Sequence, residues 1–237
     1  MIKLISVRNF VRVLHSPSRR DLILLVIACS KKKRSDEEIR NIYSSFIARG
    51  KDLTKDSLKL DHVVIKSYRS CIEDRHPGAV KSTQKYPAFL RYSGIFYNGV
   101  WNRGELEVWE RVIRDGWKVL ILSSYYGFLR VTDCINDYDL HMKEVSKECK
   151  EKLPNILKKI MEVNNSSEVY FLTSKEYVKP FKNKVSNAYR MKLYDKSGRE
   201  VDGLNYYREV STLFVSIITG ITEQISGKVE YVELEKI

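Results

Sequence analysis

The sequence has no apolar run long enough to cross a bilayer. Its longest such run, residues 22–29, has eight residues, whereas a transmembrane helix needs about 20. A secretory signal peptide would also need a longer apolar segment, followed by a small-residue cleavage site. We therefore expect no membrane contact, and we interpret the run as a buried strand of a cytoplasmic protein.

Cysteine and histidine are scarce, with four residues of each type in 237. The cysteines, Cys29, Cys71, Cys134 and Cys149, form no CxxC pair and no regular framework. We therefore interpret them as reduced thiols. The histidines are not spaced as zinc ligands, and a glycine-rich dinucleotide motif is missing. We expect no metal and no cofactor.

The net charge of +12 is concentrated in one part of the chain. Residues 1–91 contain 20 Lys and Arg against 9 Asp and Glu, a balance of +11, whereas residues 92–237 contain 22 against 21. A surplus of this kind attracts phosphate backbones. A lysine-rich solvated surface is the alternative explanation, but a uniform bias would not stop at residue 91. The charge therefore favours a nucleic-acid partner.

Continuous apolar runs alternate with helical patterns along the chain. Residues 22–28, 117–122 and 168–173 are typical of central strands that are covered on both faces. Strands that alternate with helices predict a mostly parallel or mixed sheet flanked by helices. We thus predict a single compact α/β domain over residues 22–237, preceded by an N-terminal extension, residues 1–21, which we interpret as an added strand or arm.

Local patterns predict the elements between these strands. Ser35, followed by three acidic residues, predicts a helix that runs to about residue 49 and stops at Gly50. Between the first two central strands we also predict a strand at 62–66, a long loop region with short elements at 68–103, of the kind that is usually functional or disordered, and a helix at 105–114. The later predicted segments are a helix at 143–163 that is kinked or divided at Pro154, a hairpin turn at 195–198 between strands at 188–194 and 200–204, a helix at 206–219 that ends at Gly220, and an edge strand at 228–234.

The first candidate site follows the first central strand. Cys29 and Ser30 precede Lys31, Lys32 and Lys33 at the point where open α/β sheets bind ligands. Lysines beside a helix N-terminus could hold a phosphate, although the glycines of a P-loop are missing. A solvated lysine run explains the pattern equally well. Cys29 is a candidate nucleophile, but a lone cysteine is more often a small buried residue.

Two further candidate segments carry aromatic and polar residues. Gly94 and Tyr97 lie in a stretch where aromatics alternate with Gly and Arg, which suits base stacking, although a tight turn with core aromatics is commoner. Ser123, Arg130 and Asp133 follow the second central strand and could bind phosphate and ribose or supply an acid/base group. The cleft around these positions is expected to include Cys29, Gly94, Tyr126, Gly127, Tyr138 and Ser174.

The segment 122–133, L-S-S-Y-Y-G-F-L-R-V-T-D, resembles the stretch L-S-G-L-Y-G-x-L-R-P-L-D of the YaaA-like peroxide-stress family. Further matches occur in the same order along the chain and cover roughly residues 22–218. Residues 27–31, I-A-C-S-K, match the family's I-S-P-A-K, which puts Lys31 at the family lysine. Residues 94–99 match G-x-x-Y-x-G, and residues 138–142, Y-D-L-H-M, match Y-R-L-E-M. Residues 172–177, L-T-S-K-E-Y, match L-A-S-D-E-Y, and the turn at 195–198 matches D-x-x-G.

The chain departs from the family pattern at several positions. Cys29 and Val131 replace prolines, and Ser124 replaces a glycine. Asp139 and His141 stand where the family has Arg and Glu, so an Arg-dependent contact is not expected at this point. The Cys-Ser-Lys form also resembles the YaaA-related domain within archaeosine synthase, a tRNA-modifying enzyme.

The resemblance implies a compact α/β domain with a positively charged cleft and binding to duplex or structured DNA. It also implies a role in limiting oxidative DNA damage and a helix-hairpin-helix-like element, which we cannot assign to particular residues. It implies no settled reaction. The hypothesis that follows is a DNA-binding protein of the oxidative-stress response or of DNA repair, with phosphate contacts from Ser30, Lys31, Lys32, Lys33, Tyr97 and Arg130.

A second hypothesis is an enzyme that acts on a nucleobase or nucleotide in DNA or tRNA. It would use Lys31, Ser123, Arg130 and Asp133 in one cleft, with a lysine as amine nucleophile or base. A third, motivated only by the number of tyrosines, is a protein-interaction module. The sequence does not indicate the oligomeric state.

Overall fold

The architecture is a mixed seven-stranded sheet flanked by helices, as predicted. The structure, a computed structural model, describes residues 4–48, 57–60, 62–223, 225 and 228–237. The strands are β1 Ile5–Ser6, β2 Ile23–Ala28, β3 Tyr86–Pro87, β4 Val119–Ser123, β5 Gly127–Arg130, β6 Cys134–Ile135, β7 Glu168–Leu172, β8 Ala188–Tyr194 and β9 Tyr231–Lys236. The helices are α1 Val7–His15, α2 Pro17–Arg20, α3 Asp36–Ala48, α4 His62–Arg75, α5 Ala88–Arg91, α6 Ile95–Arg114, α7 Lys147–Lys150, α8 Leu153–Val163, α9 Lys175–Val178 and α10 Gly203–Thr219.

The sheet order is β1-β9-β8-β7-β2-β4-β5, and β3 pairs separately with β6. β2 lies at the centre, parallel to both β4 and β7, and all six of its residues are buried. The three predicted central strands are therefore confirmed. Their continuous apolar sequence follows from helices that cover both faces of a parallel sheet.

The chain reverses its direction across the sheet at β2. β4 lies on one side of β2, and β7 and β8 lie on the other. Right-handed crossovers then place the helices before β4 and before β7 on opposite faces. α6 packs against α10, with Trp109 and Phe96 both against the ring of Phe214, whereas α8 packs against α4. Such a reversal leaves a crevice at the carboxyl ends of the strands.

Two predicted helix signals are confirmed in detail. Ser35 Oγ accepts a hydrogen bond from the Glu38 amide at 3.2 Å, and the Glu38 carboxylate accepts one from the Ser35 amide at 2.7 Å. This reciprocal capping box starts α3. α10 ends at Gly220, whose φ of 75° is left-handed and therefore favours glycine. The predicted stop at Gly50 lies outside the described residues.

The predicted strand at 62–66 is wrong, and the loop region with short elements predicted at 68–103 is found only between residues 76 and 94. α4 occupies 62–75, and α5 and α6 lie farther along, so that α6 begins ten residues before the predicted 105. α4 buries Ile65, Tyr68 and Ile72, which lie three and four residues apart on one helical face. Because many polar residues stand between these positions, the helical spacing of the apolar residues is not evident in the sequence.

Three smaller predictions are corrected in part. Residues 143–163 form two helices, α7 and α8, with Pro154 in the first turn of α8, where its missing N–H costs nothing. The turn at 195–198 exists, but its second arm is a single bridge between Tyr194 and Glu200 before α10 begins. The C-terminal strand β9 is not an edge strand, because it lies between β8 and β1.

Residues 4–20 pack onto the sheet and its helices. β1 pairs antiparallel with β9, and α1 buries Val7, Phe10, Val11 and Leu14 on a face that packs against α10. The His15 Nδ1 lies 3.0 Å from the Ile217 carbonyl oxygen, near the C-terminal end of α10. A domain boundary at residue 21 stays a prediction.

A disulfide joins Cys71 of α4 to Cys149 of α7. The interpretation of all four cysteines as reduced thiols is therefore wrong for this pair, and it holds for Cys29 and Cys134, which are free. The two bonded cysteines are 78 residues apart, and they meet because α4 packs against α7 and α8.

Candidate functional site

The predicted site region lies at the carboxyl ends of the central strands. Cys29 follows β2, and its amide donates to the Leu122 carbonyl at 3.0 Å, which extends the pairing of β2 with β4. Ser124 follows β4, and Ser174 lies two residues beyond the end of β7. Because β2, β4 and β7 are parallel, their ends meet at one edge of the sheet, next to the reversal at β2.

A cavity of about 300 Å³ opens at this edge, and we call it the Cys29 cavity. It lies between the end of β2, the first turn of α6 and the first turn of α10. No carboxylate is among the described residues that line it. These are Ala28, Cys29, Ser30, Lys31, Gly94, Ile95, Phe96, Tyr97, His141, Leu172, Tyr177, Leu204 and Tyr207.

A second cavity of about 590 Å³, the Arg190 cavity, adjoins the first. Its lining includes Ser174, Lys143, Lys175 and Arg190. The guanidinium of Arg190 lies 3.3 Å from Glu200 and 3.2 Å from Glu235, so its charge is already compensated. The two cavities share four lining residues and thus form one cleft. The shared residues are His141, Tyr177, Leu204 and Tyr207.

The thiol of Cys29 contacts two hydroxyl groups. Its Sγ lies 3.3 Å from the Tyr177 hydroxyl and 3.8 Å from Ser124 Oγ. Burial raises the pKa of Tyr177 far above its usual value, and the nearby Cys29 raises it further. Tyr177 therefore stays a neutral hydroxyl that can donate a hydrogen bond into the cavity. Ser124 Oγ is itself engaged, since it donates to the Leu140 carbonyl at 2.6 Å.

The three consecutive lysines after β2 divide into two kinds. Lys31 and Lys32 are exposed. Lys33 turns inward, where its Nζ donates to the carbonyl oxygens of Tyr138 at 2.7 Å and Lys31 at 3.2 Å. The same Nζ lies 3.8 Å from the centre of the Tyr138 ring, and burial lowers the pKa of Lys33. Lys33 therefore fixes the loop, whereas its two neighbours are open to a ligand.

A buried chain of hydroxyl groups lies behind the Cys29 cavity. The Tyr138 hydroxyl lies 2.8 Å from the Tyr92 hydroxyl and 2.8 Å from Ser123 Oγ. Ser123 Oγ also accepts from the amides of Tyr125 and Tyr126, at 3.2 and 3.0 Å. Ser123 is fully buried, so it holds the turn after β4 and does not reach the cleft.

Tyr97 and Tyr126 differ in their relation to the cleft. Tyr97 lines the Cys29 cavity, and its hydroxyl donates to the Ala28 carbonyl at 3.0 Å. Tyr126 lines neither cavity and packs against Tyr138, with the two ring centres 5.5 Å apart. Gly127 has a left-handed φ of 74° and faces the ring of Tyr68. The structure therefore brings Cys29, Ser30, Lys31, Gly94, Tyr97 and Ser174 to the cleft, and it leaves Tyr126, Gly127 and Tyr138 behind it.

Arg130 and Asp133 form a pair away from the cleft. The Arg130 guanidinium lies 2.8 Å from the Asp133 carboxylate, which also accepts from the Arg130 amide at 2.9 Å. In the β4–β5 pairing, Arg130 stands opposite Leu120, three residues back from Ser123. At about 3.4 Å per residue, this places Arg130 some 10 Å from the strand end. Contrary to the prediction from the sequence, Lys31, Ser123, Arg130 and Asp133 therefore do not meet in one cleft.

The four residues that line both cavities were not among the predicted site residues: His141, Tyr177, Leu204 and Tyr207. Tyr177 belongs to the segment 172–177 that carries part of the family resemblance, which was the available signal. Nδ1 of His141 accepts from the Lys143 amide at 3.1 Å, which places the ring proton of the neutral form on Nε2. Leu204 and Tyr207 lie on α10, and their sequence context gives no sign of a cleft.

The described part of the chain shows neither a metal-binding cluster nor a membrane-spanning helix. No group of three His, Cys, Asp or Glu side chains in these ranges is placed to hold a metal ion. No helix within them has the length and apolar character needed to span a bilayer. The predicted helix-hairpin-helix element stays without a location.

The family model described as peroxide stress protein YaaA matches residues 23–207 of the 237. The match begins at the first residue of β2, and every residue that lines either cavity lies inside it. No curated protein matches the chain.

Proposed function

The chain belongs to the YaaA peroxide stress family, and from this premise we propose that it is a DNA-binding protein that holds duplex or structured DNA against the cleft at the carboxyl end of the sheet. The role in oxidative stress follows from the family. DNA binding, a part in DNA repair and a cytoplasmic location are our proposal.

One observation carries the proposal. The exposed Lys31 lines a cavity that no carboxylate of the described residues lines, and the next residue, Lys32, is exposed as well. Lys143 and Lys175 are exposed around the adjoining cavity. Glu176, Glu200 and Asp202 also line that adjoining cavity, so the lysine charge is least opposed around Lys31. Lysines at a cleft attract the phosphates of a nucleic acid, and each contact releases counterions. The surplus of +11 in residues 1–91 supplies a longer-range attraction.

The test measures how strongly DNA affinity depends on salt. Fluorescence anisotropy with a duplex and with a four-way junction should show an affinity that falls steeply between about 50 and 200 mM salt. The double variant Lys31→Ala/Lys32→Ala should reduce the slope of log affinity against log salt by about 2, because each phosphate contact contributes about 0.9.

The matched control is Lys158→Ala/Lys159→Ala, which removes two exposed lysines from α8. This control loses the same net charge but lies away from the cleft, so its slope should stay near that of the wild type. Undetectable binding by the wild type, or equal losses in both double variants, would contradict a DNA site at the cleft.

An enzyme that acts on a nucleobase or nucleotide is the second candidate. The observation that favours it is the thiol of Cys29, which lies inside the cavity 3.3 Å from the Tyr177 hydroxyl. Incubation of damaged DNA and of tRNA with the wild type, Cys29→Ala and Lys31→Ala would reveal a product that depends on these side chains. If neither substrate gives a product that either variant loses, the enzyme hypothesis fails.

A further inference from the structure

Leu204 stands at the mouth of the cleft with 70% of its surface exposed. It is the second residue of α10, and it lines both the Cys29 cavity and the Arg190 cavity. Ile95, in the first turn of α6, is also exposed and lines the Cys29 cavity. Single exposed leucines are ordinary on protein surfaces. Leu204 differs because it borders the cavities and stands beside the half-buried ring of Tyr207.

The interior of the Cys29 cavity suits a flat heterocycle. Its walls include the aromatic side chains of Phe96, Tyr97 and Tyr177, and its polar atoms include the Cys29 thiol and the Tyr177 hydroxyl. Aromatic walls stack on nucleobases, and a few polar groups can then contact the base edge. A base that remains stacked in a duplex cannot enter such a cavity, since it must first leave the helix.

The cations around the cleft provide the complementary charge. Lys31 lines the Cys29 cavity, and Lys143 and Lys175 line the adjoining one. A DNA strand held by these lysines would pass over Leu204. Proteins that distort DNA commonly insert an apolar side chain, often leucine, between base steps.

We propose that Leu204 is a wedge that enters the base stack and that the Cys29 cavity receives the nucleotide base that it displaces. This inference rests on the proposed function, because the lysines must first hold the DNA. The ligand class is a single extruded or unpaired nucleotide within DNA. The displaced base is stabilised by stacking, and the apolar Leu204 fills the space that it leaves.

The test is permanganate oxidation of a duplex with one thymine·cytosine mismatch. Permanganate attacks a thymine that has lost its stacking, and a wedge inserted at the mismatch parts the thymine from its neighbour in the stack, so the reactivity of the thymine reports the insertion. Bound wild-type protein should raise the reactivity of this thymine several-fold above that of the free duplex. Leu204→Ala should remove most of the rise and leave the affinity at low salt within about threefold, because phosphate contacts dominate the affinity.

The matched control is Val13→Ala. Val13 is 49% exposed on α1, near the contact of His15 with the C-terminal end of α10. Leu204 lies 15 residues before the last residue of α10, Thr219, so the two are about 22 Å apart at 1.5 Å per residue. Val13→Ala should behave as the wild type. Both positions are exposed, and circular dichroism melts of both variants would verify that the fold is intact.

The outcomes separate the two proposals. Absence of DNA binding by the wild type would overturn the proposed function. Binding without a rise in thymine reactivity would overturn the wedge and the base-receiving cavity alone. A rise that Leu204→Ala leaves unchanged would also overturn the role of Leu204.

Discussion

The Nζ of Lys33 lies 2.7 Å from the carbonyl oxygen of Tyr138 and 3.8 Å from the centre of the ring of the same residue. One lysine therefore ties the loop after β2 to a segment 105 residues farther along the chain. The two lysines before Lys33 are exposed, and Lys31 lines the Cys29 cavity. Lys33 holds the loop by hydrogen bonds within the protein, and Lys31 and Lys32 stay exposed to a ligand.

Lys33→Met should destabilise the protein by about 2 kcal/mol. The substitution removes two charge-assisted hydrogen bonds and leaves the Tyr138 carbonyl without its lysine donor. Part of the loss is offset because the buried charge disappears as well. Lys32→Met, at an exposed position, should change stability by about 0.5 kcal/mol or less. Urea denaturation of both variants measures the difference in the free energy of unfolding. Equal values would show that the hydrogen bonds of Lys33 do not stabilise the fold.

Some of this arrangement could be predicted from the sequence. Strands covered on both faces must be apolar at every position, which is why β2, β4 and β7 are evident. The capping box of Ser35 and the glycine stop at Gly220 are local signals that need no tertiary information. For the same reason, the position of the site at the strand ends follows from an alternating α/β pattern.

Other features depend on distant contacts and could not be predicted. Three adjacent lysines look alike in a sequence, and only the position of Tyr138 decides which of them turns inward. Arg130 and Asp133 are near Ser123 in sequence, but the antiparallel return of β5 carries them away from the strand end. Leu204 reaches the cleft from a helix that begins about 175 residues after Cys29.

Gly127→Ala should destabilise the protein more than Gly198→Ala. Both glycines have a left-handed φ, 74° and 79°, so each alanine costs about 1–2 kcal/mol of backbone strain. At Gly127 the new methyl group would also lie 3.0 Å from the ring of Tyr68, whereas at Gly198 nothing lies within 4 Å. The Tyr68 ring cannot yield, because it is buried and its hydroxyl donates to the Ser124 carbonyl at 2.7 Å.

The added contact should make the Gly127→Ala variant about 1–2 kcal/mol less stable than the Gly198→Ala variant. Thermal and urea denaturation of the two proteins provide the comparison. Equal losses would mean that the ring of Tyr68 moves without cost.

Reduction of the disulfide between Cys71 and Cys149 should lower stability by about 2–4 kcal/mol, because the bond closes a long loop in the unfolded chain. Cys71→Ser should reproduce the effect under non-reducing conditions. Cys134→Ser is the control, since Cys134 is free and exposed. A thiol count on the unfolded protein should give two groups before reduction and four after it. Four groups before reduction would show that the bond is absent.

Asp195 should make the stability of the protein depend on pH in acid. Its carboxylate accepts hydrogen bonds from the Ser197 hydroxyl at 2.6 Å and from the Arg199 amide at 3.0 Å. These bonds lower the pKa of Asp195 from 3.8 to about 2. Because the folded-state pKa lies below the ordinary value, the stabilisation is complete above pH 3.8 and is lost as the pH falls towards 2.

Asp195→Asn should therefore be less stable than the wild type at neutral pH, and the difference should shrink as the pH falls from about 4 to 2. The amide side chain keeps an acceptor oxygen but does not titrate, so all other carboxyl groups contribute equally to both proteins. Urea denaturation of the pair at several pH values measures the difference directly. A difference that stays constant down to pH 2 would show that the carboxylate charge of Asp195 does not stabilise the turn between β8 and α10.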